Sequence, residues 1–162
     1  MEKLMIKKQR VKTLVITRLF DAPVEKVWNA WTNPKLVEKW WGPQFFTAPK
    51  IEIDFREGGK YFYCMRSPDG KDYCSSGVYE EIVPMQKIVA TDSFADEKGK
   101  IVQAAHYGLS KDFATASKVT GLFEDIDGKT RLTIHYEGIP PSDMKNAEMG
   151  WNQSFNKLTK LL

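Results

Sequence analysis

The chain has 162 residues, 42% of them hydrophobic and 28% charged, with a formal net charge of +3. That length buries one full core without disulfide or metal staples, and the composition is that of an ordinary globular domain. Part of the positive balance lies in the basic start Lys3, Lys7, Lys8, Arg10 and Lys12. No basic face interleaved with aromatics follows it, which argues against nucleic-acid binding. No run nears the eighteen or so apolar residues of a membrane span, and no apolar h-region opens the chain, so a cytoplasmic location is the expectation. Residues 1–11 read as a solvated lead-in and 12–162 as a single domain.

Residues 12–20 alternate, with Leu14, Ile16 and Phe20 on one side and Thr13, Thr17 and Leu19 on the other, which predicts a first strand. Asp21-Ala22-Pro23 stops it, with Asp21 expected to cap a short helix over 24–31 and Pro23 in its first turn. Asn33-Pro34 breaks that helix and opens a second, from 34 to 40 or 41, which Gly42-Pro43 ends. A meander follows. Ile51, Ile53 and Phe55 alternate with polar residues, Gly58-Gly59 turns the chain, and Tyr61, Tyr63 and Met65 recur at period two. The Asp69-Gly70 turn leads into a strand over 76–82, and Pro84 precedes another over 88–94. Residues 95–116 show no sustained period and read as a long mobile connection. Strands over 119–124 and 130–136, joined by Asp127-Gly128, form the last hairpin. The stretch 141–162 then carries the clearest helical stripe of the chain, Met144, Ala147, Trp151, Phe155, Leu158 and Leu162, at spacings of three and four.

The only two cysteines, Cys64 and Cys74, flank Pro68-Asp69-Gly70. A tight loop there would set them nearly opposite each other, so a cross-strand disulfide is geometrically conceivable. A reducing cytosol leads instead to the expectation of two free, largely buried thiols. With His106 and His135 they show no zinc-ligand spacing, and neither a structural metal nor a cofactor is expected.

The order of elements is a helix-grip arrangement, and residues 18–43 carry a resemblance in sequence as well. Arg18-Leu19-Phe20-Asp21-Ala22-Pro23, Val27-Trp28, Ala30-Trp31-Thr32, Pro34 and Trp40-Trp41-Gly42-Pro43 resemble the opening signature of the domain family named after the activator of heat shock protein 90 ATPase. That family belongs to the START-like, birch-pollen-allergen-like superfamily. Arg56 with Gly58-Gly59, the run from Gly77 through Val78-Tyr79-Glu80-Glu81-Ile82-Val83 to Pro84, Thr130-Arg131-Leu132-Thr133 and Gly150-Trp151 match later family features in order. The resemblance implies an α+β fold: a curved antiparallel sheet of about seven strands, two short helices after the first strand, and a long C-terminal helix on the concave face. It also implies a choice among hydrophobic-ligand binding, regulation of a chaperone in a stress response, and cyclase- or hydrolase-type catalysis. Fold alone does not decide between them.

A sheet gripping a helix leaves a cavity wherever facing side chains fail to fill it. By pattern that space is expected to lie near Trp28, Trp40, Tyr61, Tyr63, Met65 and Tyr79 from the first part of the chain. Tyr136, Met144, Trp151 and Phe155 are its expected walls from the last part. Taken singly, each is better read as core; as a set they suit a small-molecule site, with tyrosine hydroxyls available to a ligand. Glu81 falls between Tyr79 and Val83 and is expected to face inward, either paired with Arg56 or Arg131 or acting as an acid, a base or a cation-binding group. Trp41 is assigned neither to the cavity mouth nor to the surface. No nucleophile-histidine spacing and no G-x-S-x-G signature occurs. The reading that follows is a non-catalytic protein binding a small hydrophobic molecule, with a chaperone as an alternative partner, an enzyme as a third reading and homodimerisation left open.

Overall fold

The computed structural model describes residues 11–162, so the basic lead-in, but for its last residue, lies outside the described residues. The elements run β1 (Lys12–Phe20), α1 (Val24–Thr32), α2 (Pro34–Trp40), β2 (Thr47–Ile53), β3 (Lys60–Arg66), β4 (Asp72–Val83), β5 (Lys87–Ala95), β6 (Ser117–Ile126), β7 (Lys129–Ile139) and α3 (Pro141–Leu161). All seven strands form one curved antiparallel sheet in the order β1-β7-β6-β5-β4-β3-β2. The first strand therefore pairs with the last. α1 and α2 carry the chain from one edge of the sheet to the other, and the fold is the α+β helix-grip arrangement.

Local chemistry explains the two short helices. Asn33 caps α2 by accepting from the Lys35 amide at 3.0 Å, and Pro34 follows it in the first turn. At α1 the expected Asp21 cap is not used; the Pro23 carbonyl instead receives the Lys26 and Val27 amides at 3.0 and 3.2 Å. The buried Trp40 indole donates to the Ala30 carbonyl at 2.9 Å and so ties α2 to α1.

The main core brings Leu14, Ile16 and Phe20 of β1 and Leu132 and Ile134 of β7 against Trp28 of α1 and Phe155 and Leu158 of α3. A second cluster gathers Val37, Tyr61, Tyr63, Tyr79 and Ala90. Trp41, Phe55, Ile82 and Ile88 pack against both. The C-terminal half of α3 is held on two sides. Arg18 donates to Asn156 Oδ1 at 2.6 Å and lies 5.6 Å over the Phe155 ring. On the other side Lys157 Nζ donates to the Pro43 and Phe46 carbonyls at 3.2 Å each, and burial lowers its pKa.

One expectation gains a local detail and another is corrected. The connection after β5 is anchored: residues Ala104–Tyr107 form a 3-10 turn, and the Tyr107 hydroxyl accepts from the Cys74 amide at 3.1 Å while donating to the Ala95 carbonyl. A buried aromatic with both hydrogen-bond roles filled ties this turn to β4 and β5 within a segment that lacks periodicity. The cysteines are joined, not free. Cys64 and Cys74 face each other in the β3–β4 ladder with Cα atoms 4.1 Å apart, and their sulfurs are bonded. The cross-strand geometry decides the pairing, where the expectation of free thiols rested on compartment alone. The bond closes a loop of sequence separation 10, so reduction is expected to lower stability by about 2 kcal/mol, partly offset because the hairpin ladder already holds the ends. Thermal melts with and without reductant check this, and identical midpoints would refute it.

Candidate binding chambers beneath the last helix

Two adjoining voids lie between the sheet and α3. The smaller, about 80 Å³, sits deep in the grip, with Tyr61, Tyr63 and Tyr79 on one wall, Ile88, Ala90 and Asp92 of β5 on another, and Trp31, Trp41 and Trp151 above. The larger, about 300 Å³, opens toward the first half of α3 and is bounded by Met65, Phe94, Phe113, Ala147 and Gly150. Trp41, Asp92, Tyr136 and Trp151 belong to both walls. The two voids thus adjoin at these four side chains, and their combined scale suits the lower range of small-molecule sites.

The polar centre is Asp92. Its Oδ1 accepts from the Tyr61 hydroxyl at 2.7 Å and its Oδ2 from the Tyr136 hydroxyl at 2.5 Å. The same Tyr61 hydroxyl lies 2.8 Å from the Thr91 carbonyl. Asp92 keeps some accessible surface, but that surface opens on the voids, and protein encloses it elsewhere. Burial accordingly pushes its carboxyl above the usual carboxylate range, against the pull of the Tyr136 and Tyr61 hydroxyls. Burial also raises the tyrosines: Tyr61, Tyr63 and Tyr136 well above their ordinary value, and Tyr79 to about 12. All four therefore stay neutral near pH 7 and present hydroxyls.

The reach of Tyr61 depends on Gly77. The two are direct partners across β3 and β4. A Cβ at Gly77 would lie 1.9 Å from the Thr91 carbonyl oxygen and 2.5 Å from the Tyr61 ring. Glycine lets the ring lie over β4 and reach β5 two strands away.

A family model described as Activator of Hsp90 ATPase homolog 1-like protein matches residues 21–162. The chain belongs to that family. A crystal structure of a protein from Chromobacterium violaceum is 29% identical, with a TM-score of 0.76 over 92% of this chain and 95% of the other. One from Mycobacterium smegmatis is 28% identical, with a TM-score of 0.76 over 93% and 90%. The AHSA1 protein from Silicibacter pomeroyi, at 22% identity, shares the fold with a TM-score of 0.72 over 92% and 96%. No curated protein matches the chain.

In this Activator of Hsp90 ATPase homolog 1-like domain, the aromatic residues expected at the cavity divide into walls and core. Tyr61, Tyr63, Tyr79, Tyr136 and Trp151 line the smaller void, and Met65 lines the larger. Trp28, Trp40 and Phe155 are buried in packed core: Trp28 meets Phe55 and Phe123 edge-on, Trp40 tilts against Trp31, and Phe155 meets Phe20 edge-on. Met144 is half-buried against the main core.

Glu81 is not brought to either void. A bulge between Tyr79 and Glu81 shifts the register of β4 on β5, so that Ile82 packs inward, and Glu81 pairs with Lys87 at 3.4 Å with its side chain 47% exposed. Its partner is neither of the arginines expected; Arg56 pairs with Asp54 and Arg131 with Glu124.

Sequence reasoning missed Asp92, Trp31 and the placement of Trp41. The signal for Asp92 was present: it shares parity on one strand with Ile88, Ala90 and Phe94. Gly150 borders the larger void, and a Cβ there would only touch Pro43 Cγ at an ordinary 3.7 Å, so close backbone approach is not its reason.

Proposed function

We propose that the protein binds a small, largely apolar molecule in the paired voids beneath α3 and performs no chemistry on it. The observation that supports this reading most directly is the sharing of Trp41, Asp92, Tyr136 and Trp151 between the two walls. That sharing sets two aromatic-lined voids side by side, with Asp92 the one charged side chain common to both. Binding is favoured over turnover because both Asp92 oxygens already hold a tyrosine hydroxyl, and burial keeps those hydroxyl protons in place. The family description refers to activation of a chaperone ATPase; the voids are what favours a ligand here. A cytoplasmic location belongs to the same proposal. It carries a requirement, since the Cys64–Cys74 bond must then be stable against the glutathione pool.

A panel of lipids, polyketides and aromatic metabolites, with neutral, anionic and cationic members, tests the reading by thermal shift. A ligand at about a hundred times its Kd is expected to add about 2.7 kcal/mol, or roughly 5–10 °C in Tm. Ala147→Phe, which plugs the larger void from the helix side, should remove the shift while the protein remains folded. A flat panel, or a shift that survives the plug, would sink the proposal.

A further inference from the structure

The charge of the walls bears on what kind of molecule fits. Among the described residues, the only charged side chains lining either void are two acids, Asp92 and Asp143; no lysine, arginine or histidine does so. This holds although the chain as a whole is cationic. No ion pair joins Asp92 to a basic residue among the described residues. Its carboxylate is held instead by two neutral hydroxyls, from Tyr61 and Tyr136. Each carboxylate oxygen has lone-pair capacity for a further donor.

Around that carboxylate the walls are rings set at steep angles to one another. Trp41 meets Tyr63 at 4.7 Å and 67°, and Trp41 meets Trp151 at 5.5 Å and 84°. A ring that turns its face to the void presents negative electrostatic potential, which favours a cation there. A buried acid whose charge no protein cation balances is costly, and an incoming cation would remove that cost. A carboxylate ligand would meet the opposite, with two acids and no basic partner. An alcohol would gain one hydrogen bond to the carboxylate and nothing from the charge. A ketone, which only accepts, could pair with the Trp31 indole, unpartnered among the described residues, but not with Asp92.

We infer that the polar end of the ligand is a cation of the alkylammonium class, seated in the smaller void against Asp92 and the surrounding rings, with its apolar tail in the larger void. This rests on the binding function proposed above and specifies its ligand.

The probes are four eight-carbon compounds with one tail and different heads: octyltrimethylammonium, octylammonium, octan-1-ol and octanoate. They are titrated into the full chain at pH 7, with indole fluorescence as the readout, because Trp41 and Trp151 wall both voids. At least one ammonium probe is expected to bind about tenfold tighter than octan-1-ol, with octanoate weakest. In Asp92→Asn the ammonium and alcohol affinities should converge to within about threefold, whereas Asp143→Asn should keep the preference. Should Asp92→Asn fail to fold, the wild-type series decides alone. Octan-1-ol or octanoate binding as tightly as both ammonium probes would overturn the cation inference and leave the binding function standing. No response to any of the four would overturn both.

Discussion

Replacing Phe155 with alanine is expected to cost about 3–5 kcal/mol and to lower the melting temperature by roughly 10 °C. The side chain is fully buried, and it is the point where α3 meets the sheet and the first helix. Its ring contacts Phe20 at 5.7 Å, Trp151 at 5.7 Å and Trp31 at 6.4 Å, and Arg18 lies over it. Alanine would remove the transfer energy of a benzyl group and leave a hole that a rigid sheet cannot collapse to fill. Because Trp31 and Trp151 also wall the smaller void, the hole adjoins it. The variant should therefore accept a bulkier ligand even as it loses stability. Denaturant unfolding measures the cost, and a loss below about 1 kcal/mol would contradict this account of the core.

Gly77→Ala adds one methyl group and is expected to destabilise by about 3 kcal/mol or more. The added carbon would meet two obstacles of different kinds, the Tyr61 ring and the Thr91 carbonyl oxygen. A ring can swing away, but the carbonyl belongs to β5 and moves only if the sheet does. The double variant Gly77→Ala/Tyr61→Ala therefore separates them, since removing the ring leaves the clash with the backbone. Little recovery of stability is expected. Full recovery would mean that the ring alone fills the space over Gly77. In the single variant Tyr61 should also lose its hold on Asp92, and ligand affinity should fall with it.

The fold was legible in the chain to the extent that it is written in periods. The stripe through Trp151, Phe155 and Leu158, the alternation of Tyr61 and Tyr63, and the Asn33-Pro34 boundary all reflect geometry that each element carries by itself. The cross-strand position of Cys64 and Cys74 was legible in the same way. Their bonded state is not, because redox environment points to free thiols while the distance between the strands decides for a bond. The site was harder. An unbroken period of two places Glu81 inward, and a single bulged residue reverses that parity without changing the composition. Asp92 lies on the correct face of β5, yet one acid in an apolar alternation does not announce that two tyrosines from β3 and β7 converge on it. Which tryptophans wall a void and which fill the core depends on sheet curvature and on the tilt of α3. Neither has a local signature in sequence.

The two halves of α3 differ in how they are held, and that difference sets a gradient of local unfolding. Its buried side chains, Ser154, Phe155 and Leu158, all belong to the second half, as do Asn156 and Lys157 with their ties to Arg18, Pro43 and Phe46. The first half, with Asp143, Asn146 and Ala147, stands over the larger void. Amides of the second half should exchange hydrogen only when the whole domain unfolds, while those of the first turns exchange through cheaper openings. The least protected part of the helix is thus its first turns, which border the larger void, and fraying there would open that void to a ligand of the kind proposed while the core stays closed.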